Sequence, residues 1–194
     1  MKLVLLRHGV TKENLERRFL GVTDVPLAPE GEEQAKEKSG KLPRVEHIYV
    51  SPLMRCRQTA ALFWPEAEQT VIPPLRETDF GPFEGKTHEE LKDNPLYNQW
   101  ISDPDDPSIV PQVENVMECA LRSTRGLATL VSHALSHGYQ MVGVVSHGGT
   151  LMSMLARHCV PERDYYSWKM DNCGGYLVEL EPGDELKLKL LESI

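Results

Sequence analysis

The chain has 194 residues, 40% of them hydrophobic and 26% charged, and a formal net charge of −8. That length supports one substantial core, so a single domain over residues 1–194 is expected. The acidic balance argues against a general nucleic-acid binder, which needs a basic face, but a few local arginines can still dominate a pocket for a small anion.

Leu3-Val4-Leu5-Leu6 reads as a short buried parallel strand, and Arg7-His8-Gly9 follows at its end. Residues 10–28 hold polar side chains, Gly21 and Pro26, which fits a long loop or a short helix. Pro29-Glu30-Gly31 opens a helix to about residue 40, with acids in its first turn. His47 to Val50 is a second strand. Ser51-Pro52 has the pattern of a cap followed by an N1 proline, so the next helix is expected to run from there to about Phe63. A third short strand fits 70–72. Residues 73–112 are the least regular, with prolines at 73, 74, 82, 95, 104, 107 and 111 and a short helix near 87–93. The stretch at about 85–115 reads as an insertion covering a site, with an ordinary surface loop as the equal alternative.

Apolar positions at helical spacing from about Val113 to His137 predict a long helix ended by Gly138. Met141 to Val145 is the next strand, and it leads into Ser146-His147-Gly148-Gly149 and a helix to about Arg157. Strands near 175–180 and 185–191 flank Pro182-Gly183-Asp184, a hairpin signal. Strands alternating with helices imply an α/β fold of three layers, α/β/α, with a mostly parallel central sheet and an antiparallel edge strand. The late hairpin fits either a free edge or the contact of a homodimer.

Cysteines at 56, 119, 159 and 173 form no C-x-x-C pair, so neither a zinc ribbon nor a thioredoxin-like site is indicated. Free thiols in a reducing cytoplasm are the simpler reading. The apolar run after Met1-Lys2 is too short for a signal peptide, and no segment approaches a membrane span. A cytoplasmic protein with no membrane or nucleic-acid partner is therefore expected.

Two strand-like runs thus each deliver a histidine and a glycine at their C-terminal ends, the edge of an open α/β sheet where ligands bind. Neutral imidazole is a competent nucleophile toward phosphorus, and an adjacent arginine can grip phosphoryl oxygens. The full set of motifs resembles the histidine phosphatase superfamily, in its phosphoglycerate mutase-like branch. Arg7-His8-Gly9-Val10-Thr11 with Asn14 resembles its opening motif, and Arg18-Phe19-Leu20-Gly21 the segment after it, with Asp24, Leu27 and Gly31 in register. Ser51-Pro52-Leu53-Met54-Arg55-Cys56-Arg57-Gln58-Thr59-Ala60 resembles its second arginine motif. Leu75-Arg76-Glu77 with Gly81-Pro82-Phe83-Glu84-Gly85 resembles the segment carrying its acid, and Val145 to Gly149 completes the set.

The resemblance implies roles. His8 would be the nucleophile. Arg7, Arg55 and His147 would hold the phosphoryl group, with Asn14 and Gly148 contributing to phosphate binding. Glu77 would protonate the leaving oxygen and then activate water, the work of a carboxyl group with a raised pKa. No metal and no cofactor is required if two arginines and two histidines neutralise the phosphate. The implied activity is hydrolysis of a small phosphorylated metabolite through phosphohistidine, most similar to compact bacterial phosphatases such as α-ribazole-5′-phosphate phosphatases. A cofactor-dependent phosphoglycerate mutase is the runner-up, and a phosphate-ligand binding protein on an inactive enzyme fold is the third reading.

Other residues carry plainer expectations. Arg57 is expected to point away from the site, and Glu84 to make a structural turn contact. His133 and His137 read as a solvated pair near a helix end, and Asp103-Pro104-Asp105-Asp106 as a solvated turn rather than a magnesium loop. Trp64, Trp100 and Trp168 are expected in core or rim packing. The chain departs from the family pattern at Val10, at Leu20 and at Gln112-Val113-Glu114-Asn115, where substrate specificity should reside.

Overall fold

The computed structural model describes residues 1–104, 106, 108–183 and 185–194. Strands β1 (Lys2–Arg7), β2 (His47–Val50), β3 (Gln69–Val71), β4 (Met141–Ser146), β5 (Cys159–Val160), β6 (Gly175–Leu180) and β7 (Leu188–Ser193) form one sheet in the order β3-β2-β4-β1-β6-β7-β5. The first four in that order run parallel, while β6 is antiparallel to β1 and to β7. The α/β/α architecture with a mostly parallel sheet is the one the sequence predicts.

Both sheet faces are covered, and the strands alternate between them with period two. Leu3, Leu5, Val142 and Val144 pack under α6 (Val116–Ser136) and α7 (Gly148–His158), against Leu127, Leu130, Leu151 and Met154. Val4, Leu6, Ile48 and Val50 face α2 (Pro29–Ser39) and α3 (Met54–Phe63), against Ala35, Cys56, Ala60 and Phe63. Each fully buried aliphatic side chain contributes about 1.5–3 kcal/mol, so these central strands are the most firmly held part of the chain.

Three boundaries differ from expectation, each for a local reason. Helix α3 begins at Met54, with Leu53 as its N-cap and no side-chain cap. Ser51 is not the cap: its Oγ meets His147 Nε2 at 2.7 Å and accepts from Leu53 N at 3.3 Å, before the helix begins. Helix α6 starts at Val116, where Asn115 and Glu118 form a capping box, while Val113 is buried in a separate cluster. The last strand lies at Leu188–Ser193, later than 185–191. Within the hairpin signal before it, Asp184 lies outside the described residues.

The proline-rich middle is more regular than it reads. After α1 (Lys12–Leu15) in the 10–28 segment, the middle holds α4 (His88–Leu91) and then α5 (Pro95–Ser102), which the periodicity did not suggest. Pro95 occupies the first turn of α5, and Asn94 caps it by accepting from Leu96 N and Tyr97 N. Phe83, Leu91, Tyr97, Val110 and Val113 form a small core here, with Phe19, Phe80 and Trp100 packed against it.

Candidate active site

Strand register builds the site. Arg7 stands opposite Ser146 in adjacent parallel strands, so the residues that follow them, His8 and His147, leave the sheet side by side. Their ring centroids are 5.1 Å apart in an edge-to-face arrangement. His8 Nδ1 lies 2.7 Å from Gly9 O. A carbonyl oxygen only accepts, so Nδ1 carries the proton and Nε2 keeps its lone pair. Burial, followed by the nearby Arg55 and Arg7, holds the His8 pKa well below that of ordinary imidazole. The ring is therefore neutral, as a nucleophile must be. His147 is held low in the same way, by burial first and then by Arg55 and His8. Its Nε2 meets Ser51 Oγ at 2.7 Å and Cys56 Sγ at 3.4 Å.

The two arginines are anchored by only part of each guanidinium. Arg7 Nη1 donates to Met170 O at 3.1 Å. Arg55 donates from Nη1 to Thr23 O at 2.8 Å and from Nη2 to Gly21 O at 2.7 Å. In both residues Nε is buried without a partner. An unsatisfied buried donor costs about 1–3 kcal/mol, so two in one place mark a site built for an acceptor. Burial lowers both guanidinium pKa values, yet arginine stays charged at any ordinary pH.

The loop that receives Arg55 is itself held by Glu84, which accepts from Gly21 N, Val22 N and Phe80 N at 3.1 Å each and from Thr23 Oγ1 at 2.6 Å. Glu84 is thus the turn contact expected of it. A Cβ at Gly21 would lie 2.0 Å from Thr78 O, so only glycine fits. Thr59 ties this assembly to the histidine turn, its Oγ1 accepting from Gly9 N at 2.9 Å and donating to Arg55 O at 2.7 Å.

Glu77 is held by the start of α7. Its Oε1 accepts from Thr150 N at 3.0 Å and Thr78 N at 2.9 Å, and its Oε2 from Gly149 N at 3.0 Å. The Gly149 and Thr150 amides are ones that a helix N-terminus leaves free. A Cβ at Gly149 would lie 2.8 Å from Glu77 Oε1, so a side chain there would push the acid away. Behind it, the buried Arg122 donates to Arg76 O at 2.6 Å, Pro74 O at 2.8 Å and Glu114 Oε1 at 2.6 Å, fixing the segment that delivers Glu77.

Asn14 Oδ1 accepts from Thr11 N at 3.2 Å and from Asn172 Nδ2 at 3.3 Å, and Asn172 Nδ2 also reaches His8 O at 2.9 Å. Arg7, Asn14, Glu77 and Gly148 line a cleft of about 380 Å³ open to solvent, while His8, Arg55 and His147 are buried. The arrangement combines an uncharged nucleophilic nitrogen, two fixed cations and a carboxyl group, with Arg7 and Glu77 lining the open cleft and His8 and Arg55 buried.

All seven sequence-predicted site residues belong to this region. Sequence reasoning passed over Ser51 as a partner of His147, and it also missed Thr59, Arg122 and Asn172. Ser51 and Thr59 stand in the second arginine motif, which was a usable signal. Asn172 lies beyond every motif, and nothing in the sequence marks it. Arg57 is exposed, as expected.

His133 and His137 are not a merely solvated pair. Their rings stack at 4.1 Å, and His133 Nδ1 lies 2.8 Å from Tyr49 OH. The helix end brings them onto strand β2, which a reading of α6 alone could not anticipate. No cluster of three or more metal-ligating side chains occurs among the described residues. In the acidic turn Asp105 lies outside the described residues, and Asp106 accepts from Ser108 N at 2.8 Å. Trp64 and Trp168 are core residues, and Trp100 is half-buried against Phe19 and Phe83. No helix among the described residues is long and apolar enough to cross a membrane.

Paired strand-end histidines, a buried and a half-buried arginine and a helix-held acid define an enzyme of phosphate-ester chemistry, and the sequence profile of the histidine phosphatase superfamily (branch 1) matches residues 3–192. The chain belongs to that superfamily. It is similar to an adenosylcobalamin/alpha-ribazole phosphatase from Escherichia coli K12, 33% identical over 163 residues, covering 81% of this chain and 78% of that protein. A 2-carboxy-D-arabinitol-1-phosphatase from Triticum aestivum is 30% identical over 189 residues, 93% of this chain; the chain spans only 37% of that relative's length. The crystal structure of an alpha-ribazole phosphatase from Shigella flexneri aligns with a TM-score of 0.83 at 26% identity, over 98% of this chain and 96% of that one.

Proposed function

We propose that the chain is a cofactor-independent phosphomonoesterase that hydrolyses a small phosphorylated metabolite through a phosphohistidine at His8. One observation carries this reading: the His8 lone pair on Nε2 lies beside two arginines whose buried Nε–H groups have no acceptor. A phosphoryl group supplies acceptors for both. His8 Nε2 attacks phosphorus, the ester P–O bond breaks, and Glu77 protonates the departing oxygen. Glu77, now a carboxylate, takes a proton from water. The water oxygen attacks phosphorus, the P–N bond breaks, and inorganic phosphate leaves with His8 neutral again. Arg7, Arg55, His147, Asn14 and the Gly148 amide stabilise the phosphoryl oxygens throughout.

Hydrolysis fits better than a mutase reaction, because a mutase must keep water from its phosphoenzyme. Here Tyr166, at the cleft mouth, is 80% exposed, which leaves the approach to Glu77 wet. α-Ribazole-5′-phosphate is the first substrate to try, given the names of two relatives. Four buried, unpaired cysteines fit a reducing cytoplasm.

The test is hydrolysis of 4-nitrophenyl phosphate by wild type and His8→Ala, with acid-labile phosphoenzyme trapped in parallel. A loss of about a thousandfold or more is expected, with no trapped intermediate in the variant. Equal turnover by both proteins refutes the mechanism. Glu77→Gln is expected to slow esters with poor leaving groups most; a uniform loss would reduce Glu77 to a positioning role.

A further inference from the structure

The central cleft has two extensions of opposite character. On the Asn14 side, a cleft of about 320 Å³ is lined by Arg7, Arg17, Arg18 and His88. On the Glu77 side, a larger one of about 570 Å³ is lined by Phe19, Phe80, Trp100, Ile101, Val116 and Tyr166, among others. None of the described residues lining that larger cleft is a lysine, arginine or histidine. The guanidinium groups of Arg76 and Arg122, which bond to the lining Glu114, are otherwise turned to backbone carbonyls.

The position of the acid decides which extension takes the leaving group. Glu77 borders the central cleft and the aromatic one, but not the cationic one. A group that protonates the leaving oxygen must stand beside it, so the alcohol part of the ester extends past Glu77 into the aromatic cleft. There it meets Glu77 and Glu114 and, among the described residues lining it, no cation; Arg18 and Lys169 line the central cleft but not this one. Ile101 is 46%, Val116 45% and Tyr166 80% exposed at this cleft, apolar surface that a ligand would cover.

We infer that, given the phosphatase reading above, the substrate is a phosphomonoester whose alcohol part is uncharged and carries a flat apolar or aromatic group. Esters whose alcohol bears a carboxylate are disfavoured. Trp100 and Tyr166 are specificity-determining residues in this scheme. The cleft rewards aromatic surface by burying it and penalises a carboxylate by desolvating it beside acids.

The experiment compares kcat/KM of the full chain for four esters of primary alcohols: 2-phenylethyl phosphate, ethyl phosphate, O-phosphoserine and 3-phosphoglycerate. Similar leaving groups make the comparison one of binding in the cleft. The phenylethyl ester is expected to lead the ethyl ester and both carboxylate esters by about tenfold or more. Trp100→Ala and Tyr166→Ala are expected to lower the phenylethyl-to-ethyl ratio several-fold, and a ratio taken within one variant cancels any loss of folded enzyme. Ile101→Arg is expected to raise phosphoserine relative to the phenylethyl ester. Hydrolysis of ethyl phosphate or phosphoserine as fast as the phenylethyl ester overturns this inference and leaves the phosphatase reading standing. An unchanged ratio in both alanine variants overturns the assignment of the cleft. No turnover of any ester overturns both readings together.

Discussion

The molecule carries two histidine clusters, one following β1 and β4 and one between β2 and the end of α6, and the two are wired differently. After β1 and β4, His8 and His147 lie edge to face beside Arg7 and Arg55. Between β2 and α6, His47, His133 and His137 stack with Tyr49 and Tyr139. In the second cluster one nitrogen of each ring is bonded: His47 Nε2 meets Thr70 Oγ1 at 2.7 Å, His133 Nδ1 meets Tyr49 OH at 2.8 Å, and His137 Nδ1 donates to His133 O at 2.8 Å, and among the described residues no buried, unpaired guanidinium stands beside them. In the first, His8 Nε2 has no hydrogen-bond partner among the described residues, and two arginine Nε–H groups are buried unpaired. The packed cluster holds three histidines and the reactive one only two; unfilled hydrogen-bonding capacity beside fixed charge is what separates a reactive cluster from a packed one.

The largest effect that can break this contrast is the loss of one buried arginine. Arg55→Ala removes a cation from beside His8 and releases the loop carbonyls at Gly21 and Thr23. A fall of roughly a hundredfold or more in kcat/KM is expected, with weaker inhibition by vanadate. Arg57→Ala, on the exposed side of the same helix, is expected to stay within about twofold of wild type. Equal losses at both positions would mean that burial and missing partners do not locate function here.

How much of this was legible beforehand follows from which interactions are local. Strand β1, strand β2 and the run into His147 were readable because apolar pattern, length and the flanking glycine or, for β2, Ser51-Pro52 agree within a few residues. Glu77 and Arg55 were readable only through ordered motifs, since neither a loop acid nor a helical arginine announces its burial. Asn172 was not readable, because its role depends on the β6 approach packing it under His8 O. Helix α5 was hidden by prolines that looked like breakers, although Asn94-Pro95 is itself a start signal. Ser51 was misread as a cap because local chemistry favours that role, and a longer-range bond to His147 won.

A smaller effect separates the clusters by pH. His8, His147 and His47 all have pKa values lowered chiefly by burial. The unfolded chain takes up protons near the ordinary histidine value of about 6.5, while the folded chain does not until the pH is lower. Stability therefore falls as pH drops below about 6.5 and is flat above it. The melting temperature is expected to be a few degrees lower at about pH 5.5 than at about pH 7.5, a window above the titration of ordinary carboxylates. His47→Gln should remove part of that drop, leaving the share of the reactive pair and of His158 at the end of α7, whose pKa burial also lowers. A drop that vanishes entirely in His47→Gln would place the whole acid sensitivity in the packed cluster.

The smallest expected effect tests whether the packed cluster is only packing. Tyr49→Phe keeps the ring in the core and deletes the hydroxyl that meets His133 Nδ1. Burial pushes the Tyr49 pKa up to about 12, so the phenol is protonated and the bond present at any working pH. His133 is half-buried, so water can replace part of the lost bond, and a destabilisation of about 1 kcal/mol is expected from urea unfolding. Because Tyr49 and Ser51 lie two residues apart along one chain segment, a shift of β2 would reach His147 through Ser51. The buried sheet on both faces of β2 resists such a shift, so kcat/KM is expected to stay within about twofold of wild type. A tenfold loss of activity with only that small loss of stability would show that the two ends of the strand are coupled, and that the packed cluster sets the position of the reactive one.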